Sequence, residues 1–312
     1  MINVGVIGVG YLGYHHTRII KSLDSVKLVG VVDIDPDRAK EVGEEFNVPY
    51  YTDYNDLVGK VDSFIIATPT ITHYDIAKNL ILKGKNVLIE KPVAAKLEEA
   101  HKLLELSKNS DKIITVGHIE RFNPALKAFR QHIEYPFYFI TERLGRFSNR
   151  ALDVDVVKDL MIHDIDIVFS LAKAKPTDIR AVGIPVVTKS IDIANVIIEF
   201  EDGSVANLTA SRVSAEKVRK IRIFQKNSYF NLDYTIQEVF VTKVFKNDIR
   251  RTPIEVDKGE PLKLELINFF DSIDKRGEQE VTLKEGVRAL EIAEKILEFI
   301  NARTKQLLKS EN

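Results

Sequence analysis

Four polar residues interrupt an otherwise apolar stretch near the middle of the chain. At roughly 100° per residue, Asp155, Asp159, His163 and Asp166 fall in one stripe of a helix read over residues 155–171. Val156, Val157, Leu160, Met161, Ile165, Ile167 and Val168 cover its other faces. Such a stripe is costly to bury unless its members are paired or meet a polar ligand. An imidazole, with an ordinary pKa of about 6.5, suits proton removal near neutral pH, and a carboxylate four residues earlier would orient it. The same spacing also fits a surface pair worth on the order of a few tenths of a kcal/mol. Asp159, His163 and Asp166 would likewise suit zinc or manganese as donors. No further histidine or carboxylate cluster completes such a set, so no metal is expected.

A second constellation lies at the N-terminus. Gly8-Val9-Gly10-Tyr11-Leu12-Gly13 follows an apolar strand and opens a helix, and Asp33 stands 20 residues after Gly13. This is the dinucleotide fingerprint in its required context. Gly8 permits the tight turn, Gly10 lets the backbone approach a pyrophosphate, and Gly13 allows close helix–strand packing. The helix N-terminus offers free N–H groups and a partial positive charge to phosphate. Asp33 would accept hydrogen bonds from ribose hydroxyls and repel a 2′-phosphate, so NAD is favoured over NADP. Arg38 is read as a solvated helix residue or as a partner for that phosphate.

These residues need elements to place them. Strand-length apolar runs at Ile2–Ile7, Val26–Val32, Ser63–Ala67, Asn86–Ile89 and Ile113–Val116 alternate with helical periods. The helices are read at Leu12–Leu23, Pro36–Phe46, His73–Leu82 and Leu97–Ser107. That alternation specifies an α/β Rossmann domain, a doubly wound parallel sheet, over residues 1–120. Ligands of such sheets sit at the strand ends. Ala67-Thr68-Pro69-Thr70 with His73, and Glu90-Lys91-Pro92, stand there, with Lys91 aimed into the crevice. Residues 121–312 read as an α+β domain. A helix follows Pro124, a strand runs from Phe137 to Leu144, and period-two alternation marks Ala194–Phe200 and Val205–Arg212. Glu201-Asp202-Gly203-Ser204 is a hairpin turn, and helices at Leu262–Ile273 and Gly286–Thr304 finish the chain. A large, mostly antiparallel open sheet follows.

Taken together, Gly8–Gly13, Ala67-Thr68-Pro69 with His73, Glu90-Lys91-Pro92 and Asp159-Leu160-Met161-Ile162-His163-Asp164 resemble the Gfo/Idh/MocA family of dehydrogenases. Gly117-His118-Ile119-Glu120-Arg121-Phe122-Asn123-Pro124 and Arg143-Leu144-Gly145 look most like its branch that oxidises the 3-hydroxyl of UDP-N-acetylglucosamine. Many relatives carry a glycine pair ahead of Asp159; this chain has Asp155-Val156-Val157-Lys158. The resemblance implies an NAD(P)-dependent oxidoreductase acting on a sugar or sugar nucleotide, with a free sugar or cyclic polyol as the alternative. Its cofactor set would be Gly8, Gly10, Tyr11, Leu12, Gly13, Asp33, Thr68, Pro69, His73, Glu90 and Lys91. Lys91, Asp159 and His163 would be catalytic and meet in one pocket. Arg121, Asn123, Arg143, Arg146 and Arg150 are expected to bind substrate, the arginines at its diphosphate. A homodimer or homotetramer through the C-terminal sheet is implied. A non-catalytic NAD-binding regulator is the reading from another class.

Composition narrows the field further. The 312 residues are 45% hydrophobic and 29% charged, with a formal net charge of -1. No global attraction to nucleic acid or anionic membrane follows. No apolar run approaches the roughly 20 residues of a membrane span. Met1-Ile2-Asn3-Val4 lacks the basic head of a signal peptide, so a cytoplasmic home is expected. The absence of cysteine excludes disulfides, thiolate zinc and thiol nucleophiles.

Overall fold

The apolar hexamer Ile2–Ile7 forms β1, and the chain then alternates helix and strand in the computed structural model, which describes residues 1–147, 154–245, 248–275 and 279–310. α1 (Tyr11–Lys21) returns the chain to β2 (Val26–Val32), and α2 (Pro36–Glu45) leads to the two-residue β3 (Tyr50–Tyr51). α3 (Asn55–Val58), β4 (Ser63–Ile66), α4 (His73–Leu82), β5 (Asn86–Glu90), α5 (Leu97–Ser107) and β6 (Ile114–Gly117) follow. Local chemistry starts several of these elements. Asp35 caps α2 by accepting from the amides of Asp37 and Arg38, with Pro36 pre-set for the first turn. The six strands are all parallel, in the order β3-β2-β1-β4-β5-β6. The order reverses between β1 and β4, which is where a doubly wound sheet takes its ligand.

After Gly117 come α6 (Pro124–Arg130) and β7 (Pro136–Leu144). A π-helical turn at Val157–Met161 then runs into α7 (Ile162–Leu171). Seven strands follow: β8 (Pro176–Ile184), β9 (Ile193–Phe200), β10 (Val205–Ser211), β11 (Val218–Gln225), β12 (Ser228–Asp233), β13 (Glu238–Phe245) and β14 (Asp248–Ile254). They join β7 in the order β14-β13-β12-β11-β7-β10-β9-β8, antiparallel except for the β7–β10 pair. α8 (Pro261–Lys275) and α9 (Leu283–Ser310) end the chain. Both expected sheets are present.

The chain divides into two compact units. The first is Met1–Ile119 with Glu260–Val287; the second is Glu120–Gly259 with Arg288–Asn312. Residues 260–287, expected with the C-terminal domain, therefore belong with the first unit. The physical reason is packing. Leu262, Leu266, Phe269 and Phe270 of α8 share one core with Val4 and Val6 of β1, Ile19 and Ile20 of α1 and Leu88 of β5. In the second unit, alternate residues of the sheet, among them Phe139, Val196, Ile198, Leu208 and Ile223, pack against Met161, Ile165 and Val168 and against Ile292 and Ile296 of α9. No helix among the described residues is long and apolar enough to cross a membrane.

If α8 closes the first core, Phe269→Ala removes a side chain that is 2% exposed and should cost about 3–5 kcal/mol. Urea unfolding of the full-length chain reads this, and an unchanged midpoint would separate α8 from that core.

Candidate active site

In the first unit the glycine turn is built as its spacing predicts. Gly8 has φ +81°, and a Cβ there would stand 2.7 Å from the Ala67 carbonyl oxygen. A Cβ on Gly13 would lie 1.8 Å from the Gly8 carbonyl oxygen, so only glycine lets α1 pack onto the turn. Gly10 differs, because a Cβ there would meet nothing within 4 Å. It caps α1 without a side-chain hydrogen bond, and the first turn carries no acidic residue. The free amides of an 11-residue helix thus face open space beside a glycine. That is the form of a pyrophosphate cradle. Tyr11 and Leu12 start the helix with exposed side chains.

Asp33 follows β2. Its Oδ2 accepts from the Val9 amide at 2.9 Å and its Oδ1 from the Asp35 amide at 3.1 Å. The carboxylate is thereby fixed against the glycine turn, with lone pairs left for ribose hydroxyls. Arg38 is neither freely solvated nor poised for a 2′-phosphate. Its Nε donates to the Val9 carbonyl at 2.8 Å and its Nη1 to Glu41 at 2.7 Å.

The two loops at the next strand ends are joined by a buried histidine. His73 Nε2 lies 2.8 Å from the Thr68 carbonyl oxygen and Nδ1 2.9 Å from that of Pro92. Burial holds its pKa below the ordinary value, against the pull of these carbonyls and Glu90. Expected to touch the cofactor, His73 instead holds Thr68 and Pro92 in place. Thr68 also accepts a 2.7 Å hydrogen bond from the Thr72 hydroxyl, and Pro69 precedes the turn at Thr70–Thr72. Glu90 too is buried, with Oε1 2.7 Å from His16 Nε2 and Oε2 accepting from the Lys91 amide at 3.3 Å. Lys91 itself is half-buried, and its peptide bond to Pro92 is cis.

The polar residues of the helix in the second unit depart from the stripe. A π-turn is wider than an α-turn, so the 100° rule does not hold across Val157–Met161. Asp155 becomes a cap, with Oδ1 accepting from the amides of Val157 and Lys158 at 2.9 and 3.0 Å. Asp159 and His163 are half-buried. Asp166 is buried against Arg121, Oδ1 to Nη1 3.7 Å. Asp164, outside the expected stripe, is 1% exposed and takes a two-pronged bond from Arg143, Nε to Oδ2 at 3.0 Å and Nη2 to Oδ1 at 2.8 Å. Arg143 Nη1 donates to Glu120 at 2.8 Å. Burial opposes the Arg143 charge, yet Asp164 and Glu120 outweigh it and raise its pKa. Burial also lifts the Asp164 carboxyl, with Arg143 pulling it back. The two-pronged geometry identifies an ion pair.

Three of the five expected substrate-binding residues are therefore used inside the unit. Arg121 and Arg143 are committed to buried carboxylates. Asn123 caps α6, its Oδ1 accepting from the Ala125 amide at 3.1 Å, and its Nδ2 donates to the Tyr234 carbonyl at 3.2 Å. Taking them for a diphosphate would strip buried charges and a helix cap of partners. Arg146 is exposed and donates from Nε to the Ala215 carbonyl at 2.8 Å. Arg150 lies outside the described residues.

Several groups beside these candidates escaped the sequence reading. Tyr234 is buried under the Arg143 guanidinium, 5.5 Å from its ring centre. Burial foremost, with Asp164, holds its hydroxyl well above the ordinary pKa. Arg219 donates to the Leu144 carbonyl at 2.7 Å. Inward-facing Thr141 and Arg143 on β7 were the available signal for the ion network. His16, Glu90 and Glu265, distant in sequence, present ligating atoms within 4.8 Å of one another.

Comparison with known proteins agrees with this geometry. Residues 2–118 match the GFO_IDH_MocA oxidoreductase family, NAD-binding Rossmann fold, and residues 126–229 match the GFO/IDH/MocA C-terminal domain. The chain is 36% identical over 279 residues to a UDP-N-acetylglucosamine 3-dehydrogenase of Acidithiobacillus ferrooxidans, covering 87% of this chain and 88% of that protein. It is 31% identical to a scyllo-inositol 2-dehydrogenase (NAD(+)) of Bacillus subtilis, covering 68% of each. A solved structure of UDP-N-acetylglucosamine 3-dehydrogenase GnnA from Acidithiobacillus ferrooxidans superposes with a TM-score of 0.91 at 34% identity, covering 96% of this chain and 98% of that one.

The Arg143–Asp164 pair yields a stability test. Arg143→Met strands a buried carboxylate and should cost about 3–5 kcal/mol, while Arg143→Met with Asp164→Leu should cost less than the single change. Urea denaturation of both variants decides, and a neutral Arg143→Met would refute the pairing.

Proposed function

The chain belongs to the Gfo/Idh/MocA family of NAD-binding oxidoreductases, and from that premise we propose that it oxidises the 3-hydroxyl of a UDP-N-acetylhexosamine. The observation that carries this reading is the similarity to the UDP-N-acetylglucosamine 3-dehydrogenase over nearly the whole of both chains. NAD, when bound, supplies the hydride acceptor. The residues around its expected place favour it. Gly10 and the uncapped start of α1 suit a pyrophosphate. Asp33, anchored to the Val9 amide, suits a ribose diol.

In this reading His163 takes the hydroxyl proton as the carbon gives up its hydrogen with the bonding electrons, leaving a ketone. Asp159 orients the imidazole and stabilises the cation that forms. The Lys91 ammonium donates a hydrogen bond to the same oxygen and stabilises the negative charge developing there. With Arg121, Arg143 and Asn123 engaged in the fold, Arg146 is the diphosphate partner we assign among the described residues. Val182, Ile184 and Ile197 are exposed on strands β8 and β9. We assign self-association to that face of the sheet, and a monomer by light scattering would remove the assignment.

The similarity to scyllo-inositol 2-dehydrogenase supports a second reading, oxidation of a cyclic polyol. A panel of UDP-N-acetylglucosamine, UDP-N-acetylgalactosamine and inositols, read by formation of reduced nicotinamide, separates the two. The sugar nucleotides should turn over fastest; turnover confined to the inositols selects the second reading, and none with any substrate refutes both. His163→Ala should lower turnover by roughly 10²–10⁴-fold with NAD affinity nearly intact. Asp33→Ala should weaken NAD instead. Equal turnover in His163→Ala and the parent would remove the imidazole from the mechanism.

A further inference from the structure

Beneath the Lys91 turn, within the first unit, three elements bring one side chain each to a common point. His16 comes from α1, Glu90 from the end of β5 and Glu265 from α8, and all are buried. Glu90 is fully used. One oxygen faces His16, and the other accepts from the Lys91 amide. Gly117 keeps room for this carboxylate, since a Cβ there would stand 3.1 Å from Glu90 Oε2.

Glu265 is different. It is 2% exposed, and neither carboxyl oxygen has a hydrogen-bond partner among the described residues. An ionised carboxylate in that position would bear the full desolvation cost beside a second anion. Burial first, and then the Glu90 charge, push the Glu265 carboxyl well above the ordinary carboxylate range. Glu90 moves the other way. Burial opposes its charge, but the His16 hydrogen bond, with the charges of His16, Lys91 and His73, holds it below that range. Two neighbouring carboxyls pushed apart in this way become one donor and one acceptor. Their separation, within 4.8 Å, can be closed by side-chain rotation or by one bridging water.

We propose that Glu265 is a positioning residue for Lys91: by donating to the Glu90 carboxylate, directly or across one water, it fixes the acceptor that holds the Lys91 backbone. This rests on the reading that Lys91 hydrogen-bonds the reacting oxygen. Glu265 touches neither substrate nor cofactor in this role. It acts through Glu90, whose oxygens cannot turn away from His16 and the Lys91 amide once the third donor is in place. The same donors could instead hold a divalent cation, which would need Glu265 ionised, and the test separates the two.

Glu265→Met and Glu265→Gln are compared with the parent in the full-length chain. Methionine fills the space without a donor, whereas the glutamine amide still donates. Glu265→Met should lower kcat with UDP-N-acetylglucosamine by about 10²-fold, the scale of a small misplacement of a reacting group. Its KM for NAD should stay near the parent's and its Tm should not fall, because an unpartnered acid has been replaced by an apolar group. Glu265→Gln should recover most of the turnover. Amide hydrogen exchange at Lys91 reads the same positioning without a substrate, slow in the parent and in Glu265→Gln and several-fold faster in Glu265→Met. Exchange that is equal in all three overturns the proposal. A Tm raised by zinc or manganese in the parent but not in Glu265→Gln also overturns it, by making Glu265 a cation ligand. Lys91→Ala is run alongside. Parent-like turnover there defeats both the lysine assignment and this inference, whereas a crippled Lys91→Ala beside a fully active Glu265→Met defeats this inference alone.

Discussion

A carboxylate removed from water must be paired or protonated, and both units of this protein are arranged around that demand. In the first, Glu90 is buried and answered by His16 and the Lys91 amide. In the second, Asp164 is buried and answered by two prongs of Arg143. Each buried acid is the immediate chain neighbour of a residue proposed to act on substrate, Lys91 in one case and His163 in the other. The pairing that satisfies the acid also removes freedom from the backbone beside it. Positioning of the reactive side chain is thus a consequence of solvating a charge inside the fold.

The cofactor end obeys a different constraint, one of space. Gly8 and Gly13 are glycines because neighbouring backbone leaves no room for a Cβ, and Gly10 is one although the protein leaves room in plenty. Two glycines therefore serve the fold and one serves what approaches it. The Asp33 carboxylate binds the Val9 amide, and the Arg38 guanidinium binds the Val9 carbonyl, so one peptide plane is gripped from both sides. A turn held this way meets a pyrophosphate already in shape, which lowers the ordering cost of binding.

Much of this was legible in the residues themselves. Strand and helix periods located β1, β2 and α4 at their observed ends, because each is a clean apolar run or stripe bounded by turn residues. The two residues of β3 are too few to show a period. The helical stripe misled because the π-turn at Val157–Met161 resets the angle between Asp155 and everything after it. Arg121, Asn123 and Arg143 were read as ligand-binding since a polar group on a single chain advertises need but not partner. Glu120, Asp164, Asp166 and Tyr234 supply those partners within the fold. The placement of α8 was likewise invisible: its apolar face fits either unit by pattern, and only Phe269 and Phe270 against Ile19 and Ile20 settle which. His16, Glu90 and Glu265 belong to segments that nothing along the chain connects.

The central claim is that this protein takes a hydride from carbon 3 of a UDP-N-acetylhexosamine. The most direct measurement supplies UDP-N-acetylglucosamine deuterated at that carbon, together with NAD, and follows the label by mass spectrometry. The account predicts deuterium in the reduced nicotinamide and a 3-keto sugar nucleotide that has lost it. Reduced nicotinamide without label, or a sugar nucleotide recovered with its deuterium intact, would contradict it.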